Sequence, residues 1–248
     1  MKKFRTVVDI LIVVAVFIAL WKVATVMGWL KPFLFPPPEK VAVQFVTDYK
    51  VLLKHIGSSL RLIGEGYALG IVLAVPLGLL IGNSVRLGNT ATTISKFLGS
   101  IPPIVYIPYG VALLPSFAAV RTMVIFLATF WPVLAATIAG VLYTERKYIE
   151  AAQMFGHRKL TILFKVILPG ALPQIFTGCN QGLSVAFILL TSAEMIAARD
   201  GMGFYVNYFS DLGDYTRTLV GVITIGIVIS LVFLLFGKLQ KALLKWRV

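Results

Sequence analysis

The chain has 248 residues, of which 58% are hydrophobic and 13% charged, and its mean hydropathy is +0.91. A soluble domain carries about 25% charged residues, so the composition excludes that class and points to an integral membrane protein. The net charge is +13, but the basic residues punctuate apolar runs, so they report topology and lipid headgroups and exclude a nucleic-acid binder. With Cys179 the only cysteine, and His55 and His157 far apart and read onto opposite membrane faces, neither an intrachain disulfide nor a Cys/His metal site is available.

In chain order, the apolar runs predict six membrane-crossing helices, at 6–29, 55–81, 92–114, 118–143, 170–197 and 217–236. The alternating pattern of a barrel is absent, so the fold class is all-α and polytopic. The basic, apolar start resembles a signal peptide, but no A-x-A-like site follows and Trp21 and Lys22 interrupt the run, so it reads as a retained helix. Lys22 is expected to snorkel to the interface. Residues 31–54 hold Phe35-Pro36-Pro37-Pro38 and then Val43, Val46 and Tyr49 at helical spacing, which predicts an extended piece and a short interfacial helix. The second span carries Gly66, Gly70, Ala74, Gly78 and Gly82 every four residues, a stripe that lets another helix approach closely. Its Arg61 and Glu65 have the spacing of a local ion pair.

The third span is broken by Pro102 and Pro103, with Pro108, Gly110 and Pro115 following. Ile101, Pro102, Pro103 and Tyr106 therefore either line a pathway or mark a kink needed for packing. In the fifth span, Asn180, Gln181 and Ser184 serve either as interhelical glue or as solute contacts. Glu194, near the end of that span, either lines the path, meets a dimer mate at a gate, or is a helix-end carboxylate reaching interfacial water. With both termini on one side, fourteen lysines and arginines fall there (Lys2, Lys3, Arg5, Arg86, Lys96, Arg146, Lys147, Arg158, Lys159, Lys165, Lys238, Lys241, Lys245, Arg247). Seven fall opposite (Lys31, Lys40, Lys50, Lys54, Arg121, Arg199, Arg217). The bias places both termini and the 144–169 segment in the cytoplasm.

That segment holds Glu150-Ala151-Ala152, Gly156, Val166, Leu168 and Pro169. This resembles the EAA loop of permease subunits of bacterial ABC importers, whose pattern is EAA, three residues, Gly, nine residues, Ile, one residue, Leu-Pro, with Val166 here in place of Ile. Phe35-Pro36-Pro37-Pro38, Ser59-Leu60-Arg61, Ile101-Pro102-Pro103, Leu172-Pro173 and Ala193-Glu194-Met195 resemble the nitrate, sulfonate, taurine and bicarbonate branch of such permeases. Where that branch usually has a glycine-containing Trp-Phe-Gly-like turn, this chain has Leu113-Leu114-Pro115-Ser116-Phe117, so the outer gate is not carried over. In physical terms, Gly156 suits a turn with positive φ between two short helices. Ala151 and Ala152 leave room for a partner, Glu150 offers a carboxylate, and Pro169 limits the second short helix.

The resemblance implies a single permease domain over 1–248, type I importer-like, in the bacterial inner membrane. It implies a second permease copy, two ATPase subunits seated on the EAA loop, and an extracytoplasmic solute-binding protein. ATP and magnesium would be bound by the ATPase, since the chain holds no G-x-x-x-x-G-K-[ST] sequence, no catalytic residues and no cofactor or metal set of its own. When the two ATPases close on ATP they would push the short helices, and the spans would rock between inward- and outward-facing states. The implied solutes are sulfonates or taurine, nitrate, bicarbonate or vitamin precursors. A channel or ion-coupled carrier is the rival class, and it predicts internal repeats and mid-membrane relay pairs, which the sequence does not display. A membrane-embedded enzyme would need a metal or nucleophile constellation.

Overall fold

A computed structural model describes the backbone of residues 2–245 and the side chains of residues 8–196 and 198–245. Arg247 and the side chains of Lys2, Lys3 and Arg5, counted above for orientation, lie outside the described residues. The elements are α1 (Lys2–Val26), α2 (Pro38–Thr47), α3 (Tyr49–Gly82), α4 (Val85–Ser100), a 3₁₀ turn (Pro103–Tyr106), α5 (Ile107–Leu113) and α6 (Phe117–Leu142). They continue as α7 (Arg146–Met154), α8 (Lys159–Ile162), a π-turn (Leu163–Ile167), α9 (Leu168–Ala197), α10 (Met202–Asp211) and α11 (Tyr215–Leu243). Among the described residues, five helical stretches are long and apolar enough to cross a membrane: Val8–Val26, Tyr49–Gly82, Phe117–Leu142, Lys159–Ile196 and Tyr215–Leu243.

The expected third span is the exception. It forms α4, the 3₁₀ turn and α5, none of them of membrane length. Polar residues interrupt α4, and at its end Ile101 and Pro102 are extended (ψ 118° and 121°), as residues preceding proline prefer. Ser116 then starts α6, its hydroxyl accepting from the Ala119 N–H at 3.2 Å.

The centre is a three-helix core of α3, α6 and α9. The small-residue stripe of α3 faces α6. A Cβ on Gly66, Gly70, Gly78 or Gly82 would lie 2.7, 2.8, 2.6 or 2.8 Å from the Cβ of Ile125, Thr129, Thr137 or Val141 respectively. The constant register makes the two helices parallel. Without competing hydrophobic association in lipid, this close contact supplies the packing that holds them. Helix α9 crosses α6 in the opposite direction, with Gly178 against Ala136, Gly182 against Thr129 and Gly140 against Ala171. Helix α4 also runs antiparallel to α6, with Gly88 beside Leu142 and Ile138, and Gly99 beside Trp131. Tyr67 Oη donates to the Cys179 carbonyl at 2.9 Å and ties α3 to α9.

One end of this core, here the lower end, carries residues 144–169; the upper end carries α2, α10 and the start of α11. Over its described side chains, from residue 8 on, helix α1 is exposed nearly throughout, and α2 is its main neighbour. Its Lys22 pairs with Glu39 at 3.8 Å. Val43, Val46 and Tyr49 are exposed, as an interfacial face requires. Arg61 and Glu65 form the expected pair at 2.8 Å.

Candidate functional site

The lower-end segment is a helix, a tight turn and a second helix. Helix α7 ends in a Schellman arrangement. The Gly156 N–H donates to the Gln153 carbonyl at 2.9 Å and the His157 N–H to the Ala152 carbonyl at 3.2 Å. Gly156 has φ +73°, with nothing within 4 Å of where its Cβ would be. Glycine is needed here for backbone conformation, while space outside the turn is open. The two residues before it stand out into that space, Met154 89% and Phe155 83% exposed, and Leu160 on α8 is 69% exposed.

Two expectations need correcting here. Ala152 does not leave room for a partner. It is buried and belongs to the lower core with Ile162 and Ile167, while Ala151, one residue away, is exposed. The period of 3.6 residues turns neighbouring alanines to different faces. Nor does Pro169 end the second short helix. Leu163–Ile167 widen into a π-turn, in which the Leu168 N–H donates to the Leu163 carbonyl, and α8 continues through it into α9. The π-turn sits immediately before Pro169, which has no N–H to donate, so the irregular hydrogen bonding of both falls at one place. Leu168 packs against the lower core, and Pro169 lines a cleft with Tyr143, Tyr148, Ala151 and Lys165. Glu150 lines a separate cleft with Asn83, Arg146, Ile149 and Gln153. It makes no ion pair among the described residues.

At the upper end, side chains from three helices converge on the connection between α9 and α10. His55 Nδ1 accepts from the Gly201 N–H at 3.2 Å and Ser59 Oγ from the Met202 N–H at 2.8 Å. Glu194 Oε2 accepts from the Gly203 N–H at 2.8 Å, and its Oε1 accepts from the Ser59 hydroxyl at 2.7 Å. Arg121 donates to the Asp200 carboxylate at 3.0 Å and to its carbonyl at 3.3 Å. Side chains from outside α10 thus take the amide donors at its start, which would otherwise be orphans, and a carboxylate sits at the positive end of its dipole. Glu194 is fully buried (0% exposed), and a Cβ on Gly201 would overlap its carboxyl carbon. Its carboxylate therefore reaches neither interfacial water nor open space within this chain. The sequence shows Glu194 and the Gly201–Gly203 pair but not the long-range partners Ser59, His55 and Arg121.

Beside this cluster, Tyr205 Oη and Arg217 Nε donate to Asp48 Oδ2 at 2.8 and 2.9 Å, and Arg217 also reaches Asp214 at 3.0 Å. Burial opposes the Asp48 charge, but hydrogen bonds from Tyr205 and Arg217, with the Arg217 charge, hold its carboxyl below the usual range. Burial and the neighbouring Asp48 raise the Tyr205 phenol. Asp200 is likewise held low: burial opposes its charge, and Ser58 and Arg121 outweigh that opposition. The two histidines do fall at opposite ends of the core.

Of the mid-bundle residues, Pro103 is buried, Ile101 and Tyr106 are half-buried and Pro102 is exposed. Asn180 and Gln181 are exposed and Ser184 half-buried, with the Ser184 hydroxyl bonded back to the Asn180 carbonyl at 3.0 Å. Interhelical glue therefore does not account for Ser184 within one chain. Lys96, counted above with the cations on the side of the termini, lies within α4, about 12 Å along the axis from Gly88.

Among the described residues, five membrane-length helices, three of them packed closely through glycines, with a projecting helix–turn–helix at one end, define a multi-pass membrane protein. The chain belongs to the family of binding-protein-dependent transport system inner membrane components, whose pattern it matches over residues 69–247. It is 30% identical over 239 residues to the taurine transport system permease protein TauC of Escherichia coli, covering 94% of this chain and 87% of that one. It is 28% identical to the nitrate import permease protein NrtB of Leptolyngbya laminosa, covering 75% and 67%. With the bicarbonate transport system permease protein CmpB of a Synechocystis species the identity is 26%, covering 79% and 76%. A chain of the inward-facing MetNI methionine ABC transporter superposes with a TM-score of 0.63 over 77% of this chain and 95% of its own, at 19% identity, and so shares the fold.

Proposed function

We infer that this chain is the membrane-spanning half of an ABC importer. Two copies would enclose a path for taurine, nitrate, bicarbonate or a similar small solute. A pair of ATPase subunits, which bind the ATP and magnesium, would seat on residues 144–169, and an extracytoplasmic binding protein would deliver solute to the upper end. The observation that carries this reading is the turn at Gly156. It holds Met154 and Phe155 almost fully in the open, beyond the core. Exposed apolar side chains on a rigid turn need a partner surface.

The charge distribution supports a cytoplasmic lower end. Arg86, Arg146, Lys147, Arg158, Lys159, Lys165, Lys238, Lys241 and Lys245 are all exposed there. Both termini then lie in the cytoplasm of a bacterial cell, with the protein in the inner membrane. The relatives' names support the solute class. The path would be lined by the Ile101–Tyr106 break and by the polar face of α9 that carries the exposed Asn180 and the half-buried Ser184. Glu194 serves from behind, as the anchor of α10.

The test is reconstitution with the partner ATPase and binding protein in liposomes, offering labelled taurine, nitrate and bicarbonate in turn. Gly156→Trp and Phe155→Asp are expected to leave insertion intact and abolish co-purification of the ATPase. Uptake at the parental rate by either variant would refute the docking role of the turn.

A further inference from the structure

Helix α4 divides into three arcs. Gly88, Ser95 and Gly99 face α6. Leu87, Ile94 and Phe97 form an exposed apolar arc, 60%, 51% and 69% accessible. Asn89, Thr93, Lys96 and Ser100 form an exposed polar arc, spaced by three or four residues. One apolar arc is sufficient to meet lipid. A second, polar arc carrying an ammonium group is expensive in lipid, and such residues face a protein interior or a water-filled cavity.

The depth is fixed by the packing. Lys96 lies between the levels at which Gly88 meets Ile138 and Gly99 meets Trp131, well inside the length of α6. The antiparallel register of α9 on α6 brings Thr177 and Gln181 to the same level. Both are exposed, and both lie on the flank of α9 opposite Cys179, the flank that meets α3 through Tyr67. On α4, likewise, the flank opposite the polar arc carries Ala91, which packs into the lower core. The two polar arcs therefore look onto the same side of α6, the side α3 leaves free. The hydroxyls of Thr93 and Ser100 bond back to their own helix at 3.0 and 2.7 Å, so they need no partner. The Lys96 ammonium cannot do this, and it makes no ion pair among the described residues.

We propose that Lys96 is a path-lining cation that draws an anionic solute, one bearing a sulfonate, nitrate or carboxylate-like group, through the membrane between α4 and α9. It deepens the transport reading above and rests on it for the solute. The wall itself is testable without it.

In the purified chain in liposomes, Lys96→Cys is treated with sulfonatoethyl methanethiosulfonate. The thiolate attacks the reagent's sulfur, forming a mixed disulfide and releasing methanesulfinate. Labelling from water is expected at Lys96→Cys and absent at Ile94→Cys on the apolar arc. Cys179 is buried and gives the parental background. Failure of Lys96→Cys to label would overturn the proposal whatever the solute proves to be.

In the assembled transporter, Lys96→Gln is expected to slow taurine or nitrate uptake by about tenfold and Lys96→Glu by more, with Lys96→Arg near parental. Lys96→Cys should recover when aminoethyl methanethiosulfonate restores an ammonium, and not with the sulfonatoethyl reagent. A Lys96→Gln protein that transports either anion at the parental rate would also overturn it. A parental protein that moves no solute counts against the transport reading, while the labelling result decides the wall.

Discussion

Gly201→Ala should be far more damaging than Gly156→Ala, although both glycines have positive φ. At Gly156, φ is +73° and the space for a Cβ is empty, so alanine there costs only the left-handed backbone, about 1–2 kcal/mol. At Gly201, φ is +107° and the new methyl would occupy the position of the Glu194 carboxyl. Backbone strain there is of order 1–3 kcal/mol. The displaced carboxylate also loses its bond to Ser59 at 2.7 Å, to the Gly203 N–H at 2.8 Å, or to both. A hydrogen bond to a charged group contributes about 1.5–3 kcal/mol. With one of these bonds lost the expected loss is about 2.5–6 kcal/mol, and more if both go, measurable as a shift in the SDS-unfolding midpoint of the protein in mixed micelles. The damage should be coupled to Glu194: adding Glu194→Ala to Gly201→Ala should destabilise by less than the sum of the two single changes. If the two glycine variants unfold within about 1 kcal/mol of each other, the upper-end clamp is not what holds α10.

Gly78→Ala places a Cβ 2.6 Å from Thr137 and should cost about 1–3 kcal/mol by overpacking, while Gly64→Ala, with open space, should be neutral or mildly stabilising in the same unfolding assay. Asp48 and Asp200 have carboxyls held below their ordinary value, so they stabilise the fold fully above about pH 4 and lose that contribution as pH falls through their lowered values. Thermal melting should accordingly fall in that acid window, and Arg217→Met should flatten the drop; an unchanged profile would remove Asp48 as its source. Tyr205→Phe removes one donor to Asp48 and should destabilise by about 1–3 kcal/mol, read by the same melts.

The sequence was most informative where one helix carried its own signal. The four-residue spacing from Gly66 to Gly82 announced a close helix contact, and the structure supplies the opposing residues from Ile125 to Val141. Gly156 announced its turn because few residues other than glycine adopt φ +73° readily. What was not legible depends on contacts between distant segments. Nothing near Glu194 in sequence names Ser59 or His55. The inward turn of Ala152 depends on Ile162 and Ile167 covering it. Lys96 was grouped with the cations on the side of the termini, and its depth follows only from how Gly88 and Gly99 seat on α6, in a helix that starts at Val85.

The absence of a break between Lys159 and Ile196 has a mechanical consequence. From Lys159 to Glu194 the helical rise amounts to about 50 Å. A push that tilts the short end by about 5° would carry the far end sideways by about 4–5 Å, a little less than the ~5.4 Å pitch of one helical turn. The widened turn at Leu163–Ile167 is the compliant point along this lever, and stiffening or loosening it would set how much of any stroke arrives at the other side.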